Sequence, residues 1–429
     1  MIVSLATAAL LLGWLMSINH RPPPVELPFQ VSGGSMSEAL HGEHFSVECG
    51  DCGIPFACDA TNPPVNELAV CPNCGYERNK FSTDHLRAGD RVNLKRHVPG
   101  KSKWNRWDVM ACRSPDDNRK RIVKRVVGLP GEHISIRHGD IYVDGVMSRK
   151  DLSQLRAMAI FVNDDRYRTM ISPTPQKRWG FDDPPQWERD SHGFVLRNPD
   201  DANVWLEYQH WACMPSLQKR ETAMPVKDNY GYNQAIARKL HAVSDLMLTC
   251  DVSSGNWQSL SLRLSNRYGE FQVQLNHSNE TVVLTEGTDV IATSGLSQLD
   301  VGETVQLELA YCDGQILFAI NQREIIEQVI DPDREPVEPT ATPLAISARG
   351  EKIEVGNLRI LRDVHYLDPG GLGRDWDTGG PLSANQYLLL GDNVPISEDS
   401  RSWVTPGVDE ELILGKVLST NLRQPAQQH

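Results

Sequence analysis

The sequence predicts a mainly β protein, and three observations carry that reading. Apolar and polar residues alternate with period two at Leu260, Leu262 and Leu264, and again at Phe271, Val273 and Leu275. Val305, Leu307, Leu309 and Tyr311 run into Asp313-Gly314, and Ile316, Phe318 and Ile320 run out of it, which is the pattern of a hairpin with one buried face on each arm. Shorter apolar runs at 122–127 and 134–143 are punctuated by Gly128-Leu129-Pro130-Gly131 and Asp144-Gly145, both turn signals. The 429 residues are 40% hydrophobic and 23% charged, near globular averages, which excludes wholesale disorder. The net charge of −13 argues against a generic nucleic-acid binder.

At the N-terminus, residues 2–18 contain no charged side chain and are mostly apolar, including Leu10, Leu11, Leu12, Trp14 and Leu15. Seventeen residues of helix span about 25 Å, the short end of a membrane crossing. Arg21 and Pro22-Pro23-Pro24 then end any helix. The pattern predicts an uncleaved anchor over 1–20. A cleaved signal peptide and a buried helix are the alternatives; the first is weakened because no Lys or Arg precedes the run and no small-x-small site follows it.

Five of the nine cysteines lie between Cys49 and Cys74. Cys49-x2-Cys52 and Cys71-x2-Cys74, each followed by Gly, match the spacing of a four-cysteine zinc site. Two such turns supply a complete tetrahedral shell, so the expected role of Zn²⁺ is structural and no catalysis is expected at the metal. Two disulfides or a redox pair are the rival readings. Cys58, Cys112 and Cys213 read as spectators or buried apolar residues; Cys250 and Cys312 are candidates for a bridge that spacing does not decide. Residues 76–125 carry 15 Lys+Arg against 6 Asp+Glu, a local charge of +9, so the remainder carries −22. That asymmetry fits either one face near anionic lipid or a solvated basic loop.

Three short segments bear chemistry. Gly33-Gly34-Ser35-Met36 places a serine among small residues, where a turn exposes its hydroxyl beside backbone N–H groups. Lys124 sits beside Ile122, Val123, Val126 and Val127; burial there would lower its pKa and free a neutral amine to act as a base, although a lysine in a basic stretch is ordinarily solvated. Gly391-Asp392-Asn393 and then Ser397-Glu398-Asp399-Ser400-Arg401 offer an ion pair that fixes a loop and a hydroxyl that orients an amine.

Taken together and in this order, the three segments resemble the boxes of type I signal peptidases, membrane serine endopeptidases with a Ser/Lys dyad. The resemblance rests on the Ser-Met box after a membrane helix, on the Lys-Arg-x-x-Gly-x-Pro-Gly run from Lys124 to Gly131, and on the Gly-Asp-Asn…Ser-x-Asp-Ser-Arg run from Gly391 to Arg401. It covers less than half of the chain. The resemblance implies Ser35 as nucleophile, Lys124 as general base, Ser397 orienting the amine, Asp399 and Arg401 bracing that loop, and Asp392 as structural. It implies no cofactor for catalysis. Signal peptides of exported preproteins would be the substrates, and membrane lipid the surroundings. The location implied is the cytoplasmic membrane, spanned once, with the catalytic part on the trans side. Departures fall at Ser37-Glu38-Ala39-Leu40, Ile396 and Val404, which touch the groove and loop more than the dyad.

The resulting organisation is an anchor over 1–20 and a signal-peptidase-type β core in three parts, 25–48, 85–148 and 385–420. A zinc ribbon is inserted at 49–80 and a β-sandwich at 150–365. Residues 363–385, rich in Gly and Pro, read as linker or loop. The closing Val355-Gly-Asn-Leu-Arg-Ile-Leu-Arg362 is similar to the final strand of concanavalin-like (laminin-G-type) sandwiches, modules that often bind glycans or proteins. A membrane-tethered binding protein with a degenerate peptidase core is the alternative function, and a self-cleaving Ser/Lys regulator a third.

Overall fold

A computed structural model describes residues 27–98, 103–170, 178–180, 187–196, 204–214, 222–296, 302–331 and 337–418. The expected anchor over 1–20 lies outside the described residues; among them no helix is long and apolar enough to cross a membrane. The described chain is mainly β, as the alternation predicts.

A seven-stranded antiparallel sheet forms the frame of the site. Its order is Leu27–Gln30, Arg91–Arg96, Ile413–Val417, Val109–Arg113, Arg121–Gly128, Gln386–Leu390, Gly407–Asp409. The strand Arg121–Gly128 is central and buried on both faces from Val123 onward, which is why its residues form a continuous apolar run rather than an alternating one. Val123 packs with Met36 and Leu40 on one side, and Val126 with Leu389 and Trp403 on the other. At its end, a Cβ on Gly128 would come within 2.6 Å of Ile134 and 2.8 Å of Leu388, so only glycine permits this packing. A second sheet, Val146–Met147, Asp140–Val143, Ile134–Arg137 and Trp376–Asp377, lies alongside.

Between the serine segment and the central sheet stand two small hairpins. His44–Glu48 pairs with Pro55–Asp59, and Leu68–Ala69 pairs with Asn79–Lys80. One Cys-x-x-Cys turn closes each hairpin.

The region read as a sandwich is built on two long strands, Leu246–Asn266 and Leu344–Arg362, paired along most of their length. Register shifts at Thr249/Asp251 and Trp257/Ser259 bend them. Before the bend, Leu246–Asn266 pairs with Thr304–Cys312; after it, with Gly269–Asn276. The sheet thereby folds over one core that includes Leu262, Phe271, Val273, Leu309 and Phe318. The predicted hairpin is present, with Cys312 opposite Gln315 and Leu309 opposite Phe318.

Two readings that the sequence leaves open are decided by the packing. Cys250 and Cys312 are both buried free thiols, not a bridge. Residues 363–385 are not simply a linker: Asp363, Val364, Tyr366 and Leu367 are buried, and Trp376–Asp377 adds a strand to the second sheet. Glycines and prolines marked the segment as loop, but burial is conferred by the neighbours it crosses.

Candidate active site

Ser35 and Lys124 face one cleft of about 320 Å³, bounded by residues 32–36, by residues 120–124, and by Ile396 and Glu398. The serine stands on the turn after Leu27–Gln30 and the lysine on the central strand. The last box reaches both, because the strand Gln386–Leu390, paired with the lysine strand, runs directly into the Gly391-Asp392-Asn393 turn beside them. A Cβ on Gly391 would lie 2.5 Å from the Ser35 carbonyl oxygen and 2.2 Å from Ser397 Oγ; the glycine lets the two loops meet.

Lys124 is 2% exposed, and its Nζ donates to Ser397 Oγ at 2.9 Å. Burial pulls its pKa down from the ordinary 10.5 to about 8, against the opposing pull of Asp399. The amine is thus partly neutral near physiological pH. Asp399 is fully buried; burial pushes its carboxyl up, but Arg401 more than offsets this and holds it below its ordinary range. The pair is bidentate, Arg401 Nε to Oδ1 at 2.8 Å and Nη2 to Oδ2 at 2.7 Å. Asp399 Oδ2 also accepts from the Gly391 N–H at 3.0 Å, and Arg401 Nη1 donates to the Leu367 carbonyl at 2.9 Å. The loop that presents Ser397 is therefore pinned at both ends by one ion pair.

Asp392 forms a second buried bidentate pair, with Arg125 Nε at 2.7 Å and Nη2 at 2.5 Å, while Arg125 Nη1 donates to the Trp107 carbonyl. Neighbouring residues of one strand thus point to opposite sides of the sheet: Lys124 into the cleft, Arg125 onto the Gly391-Asp392-Asn393 turn. Asn393 completes the assembly. Its backbone N–H donates to the Ser35 carbonyl at 3.0 Å and its side-chain amide to the Gly34 carbonyl at 2.9 Å.

Sequence reasoning missed several members. Arg125 was adjacent to Lys124 in a motif but its partner lies 267 positions away. Tyr230, Tyr232, Asn233 and Gln234 belong to a segment with no readable pattern, yet they brace the centre. Tyr230 Oη donates to the Asp392 carbonyl at 2.7 Å, Asn233 and Asn393 exchange amide hydrogen bonds, and the Tyr232 ring lies against Gly34. Gln234 pairs with the backbone of Val70. Lys150 is also buried, 2.7 Å from Asp313 and 3.0 Å from Asp363, tying the second sheet to the folded-over sheet. Beside them the Asp245 carboxyl is pushed up to about 8, first by burial and then by the charge of Asp313.

The four cysteines converge. Cys49 and Cys74 sulfurs are 3.6 Å apart, Cys52 and Cys71 sulfurs 3.7 Å, and all four lie within 4.8 Å of one another. A tetrahedral zinc with Zn–S bonds of about 2.3 Å requires S···S edges of about 3.8 Å, so the donor set fits that ion. Backbone N–H groups of Cys52 and Cys74 point at the Cys49 and Cys71 sulfurs, as thiolates need. Gly53 and Gly75 take φ of +76° and +79°, the left-handed conformation that closes each turn.

Residues 76–179 match the family model described as signal peptidase, peptidase S26. The matched segment contains Lys124 and the rest of the second box. No curated protein matches the chain. Among solved structures, a carbohydrate-binding module from Bacillus subtilis is 12% identical and covers 43% of this chain and 95% of its own, with a TM-score of 0.29. A Caenorhabditis elegans galectin is 13% identical, covering 28% of this chain and 82% of its own, with a TM-score of 0.21. Chicken galectin 2 is 11% identical over 26% of this chain and 90% of its own, with a TM-score of 0.21.

Proposed function

We propose that the chain is a membrane-anchored signal peptidase that cleaves signal peptides from exported preproteins with a Ser35/Lys124 dyad. The observation that carries this reading is the buried Lys124 amine, its pKa lowered to about 8 and its position held by Ser397, in the same cleft as Ser35. The match of residues 76–179 to the signal peptidase family supports it.

In this mechanism neutral Lys124 takes the proton from Ser35 Oγ as that oxygen attacks the scissile carbonyl. The Ser35 backbone N–H stabilises the developing oxyanion. Protonated Lys124 returns its proton to the leaving amine, and the neutral amine then activates a water that releases the acyl group and restores Ser35. The bracing pairs, Asp399 with Arg401 and Asp392 with Arg125, keep the loop and strand in register while charge moves on and off Lys124. The four-cysteine cluster would hold zinc as a structural ion and takes no part in these steps. Residues 2–18 anchor the chain, with the cleft on the trans side of the cytoplasmic membrane, close to a substrate whose apolar segment is still in the bilayer.

The test is labelling with a serine-directed acylating inhibitor together with preprotein cleavage. Wild type is expected to be labelled and to cleave; Ser35→Ala loses both, and Lys124→Ala loses cleavage while remaining folded. Full cleavage by either variant would overturn the dyad.

A further inference from the structure

The zinc-site hairpin does not stand apart from the cleft: it begins at the nucleophile's own turn and ends in the cleft's wall. Gly42 lies so close to the serine turn that a Cβ there would meet the Gly33 backbone at 2.5 Å. The next residue, Glu43, donates its N–H to the Ser32 carbonyl at 3.2 Å and accepts from the Ala60 N–H at 3.2 Å. From there His44–Glu48 runs out to the Cys49–Cys52 turn, and Pro55–Asp59 returns, with Glu48 opposite Pro55 and His44 opposite Asp59. The returning strand delivers Asp59, Thr61 and Asn62 to the cleft shared by Ser35 and Lys124. Asp59 is buried and folds the exit: its Oδ1 accepts from the Thr61 N–H at 2.9 Å and hydroxyl at 2.7 Å, and its own N–H donates to the Tyr232 carbonyl. Thr61 and Asn62 are exposed.

We infer that Thr61 and Asn62 form a substrate subsite that hydrogen-bonds an extended peptide segment beside the scissile bond, and that metal at Cys49, Cys52, Cys71 and Cys74 holds this subsite in place. The physical reason is leverage. A short hairpin is marginal alone; the metal clamps its closed end, and the open end is the wall. Thr61 Oγ1 spends its proton on Asp59 and keeps lone pairs to accept a peptide N–H, while the Asn62 amide both donates and accepts. The hydroxyl and amide suit the main chain of a peptide and read no single side chain. The substrate part of this inference rests on the peptidase reading above; the metal coupling does not.

Three measurements on the full chain test it. Zinc analysis of the purified protein is expected to return one zinc per chain; a chain without zinc overturns the coupling. Stripping with EDTA and restoring with Zn²⁺ alone is expected to speed and then slow amide exchange over residues 44–62 by about tenfold or more, with 121–128 unmoved; unchanged exchange at 58–62 overturns the coupling. Asn62→Ala, at an exposed position, removes the amide and is expected to lower kcat/KM for a preprotein by about tenfold. Cleavage by Asn62→Ala equal to wild type overturns the subsite. Failure of wild type itself to be labelled at Ser35 would sink the peptidase reading and leave the exchange result standing.

Discussion

Replacing Lys124 by methionine separates the lysine's chemical role from its cost to the fold. A lysine whose folded pKa lies below its unfolded one binds fewer protons when folded, so stability rises with pH between the two values. The penalty is complete below about pH 8 and vanishes above the ordinary 10.5. At 1.36 kcal/mol per unit, the fall from 10.5 to about 8 costs about 3 kcal/mol at pH 7. Methionine has a similar length and no charge, and removes that penalty. It also leaves Ser397 Oγ without the 2.9 Å donor, a loss of about 1 kcal/mol. The expected net gain is about 2 kcal/mol at pH 7, turning into a loss of about 1 kcal/mol above pH 10.5. Denaturant-dependent exchange of the Val126 and Val127 amides on the same strand reads this locally, and a preprotein assay on the same samples is expected to show no cleavage. A variant no more stable than wild type at pH 7, or one whose gain does not change with pH, would refute the claim that the fold holds Lys124 against its charge.

If Lys124 acts as a neutral base, kcat rises about tenfold from pH 7 to pH 9, because the neutral fraction climbs from about one tenth to about nine tenths as pH crosses 8; a profile flat over that range contradicts the assignment. Ser397→Ala frees the amine from its acceptor, and kcat is expected to fall about tenfold to a hundredfold with KM little changed, whereas an unaltered kcat would remove Ser397 from the positioning role. Asp392→Ala leaves the Arg125 guanidinium buried and unpaired, and urea unfolding should show a loss of about 3–5 kcal/mol; a loss below about 1 kcal/mol would mean that water reaches the arginine. Asn233→Ala removes the amide pair with Asn393, and is expected to lower labelling of Ser35 without shifting the pH profile, since it acts on the serine turn and not on Lys124.

Much of the site is legible in the sequence because its parts are local. Cysteine knuckles need a fixed spacing and a glycine with positive φ, so Cys49-x2-Cys52-Gly53 and Cys71-x2-Cys74-Gly75 announce themselves. Period-two burial is likewise local, and the hairpin at Asp313-Gly314 follows from it. Residues 122–127 read as a strand from their continuous apolar run, but a lysine within a basic stretch reads as solvated on its own. Only the sheet order, with strands on both sides and Trp403 and Met36 on its faces, buries Lys124 and moves its pKa.

Pairing across large separations was illegible. Arg125 and Asp392, Lys150 and Asp313, and Asn233 and Asn393 meet only because the chain returns to the same place, and no spacing rule marks such partners. Residues 363–367 show the converse: glycines and prolines nearby suggested a loop, while the Leu367 carbonyl is an acceptor for Arg401 in the heart of the site. Segments that the sequence presents as insertions, the cysteine hairpins and the stretch around Tyr230–Gln234, close against the serine turn in the folded chain. Residue types and short spacings therefore determine which groups are available, a serine turn, an apolar strand with one lysine, four thiols, because these depend on a few neighbouring positions. Burial, charge state and partnership, which decide whether those groups form a working centre, depend on contacts between distant parts of the chain and belong to the tertiary structure alone.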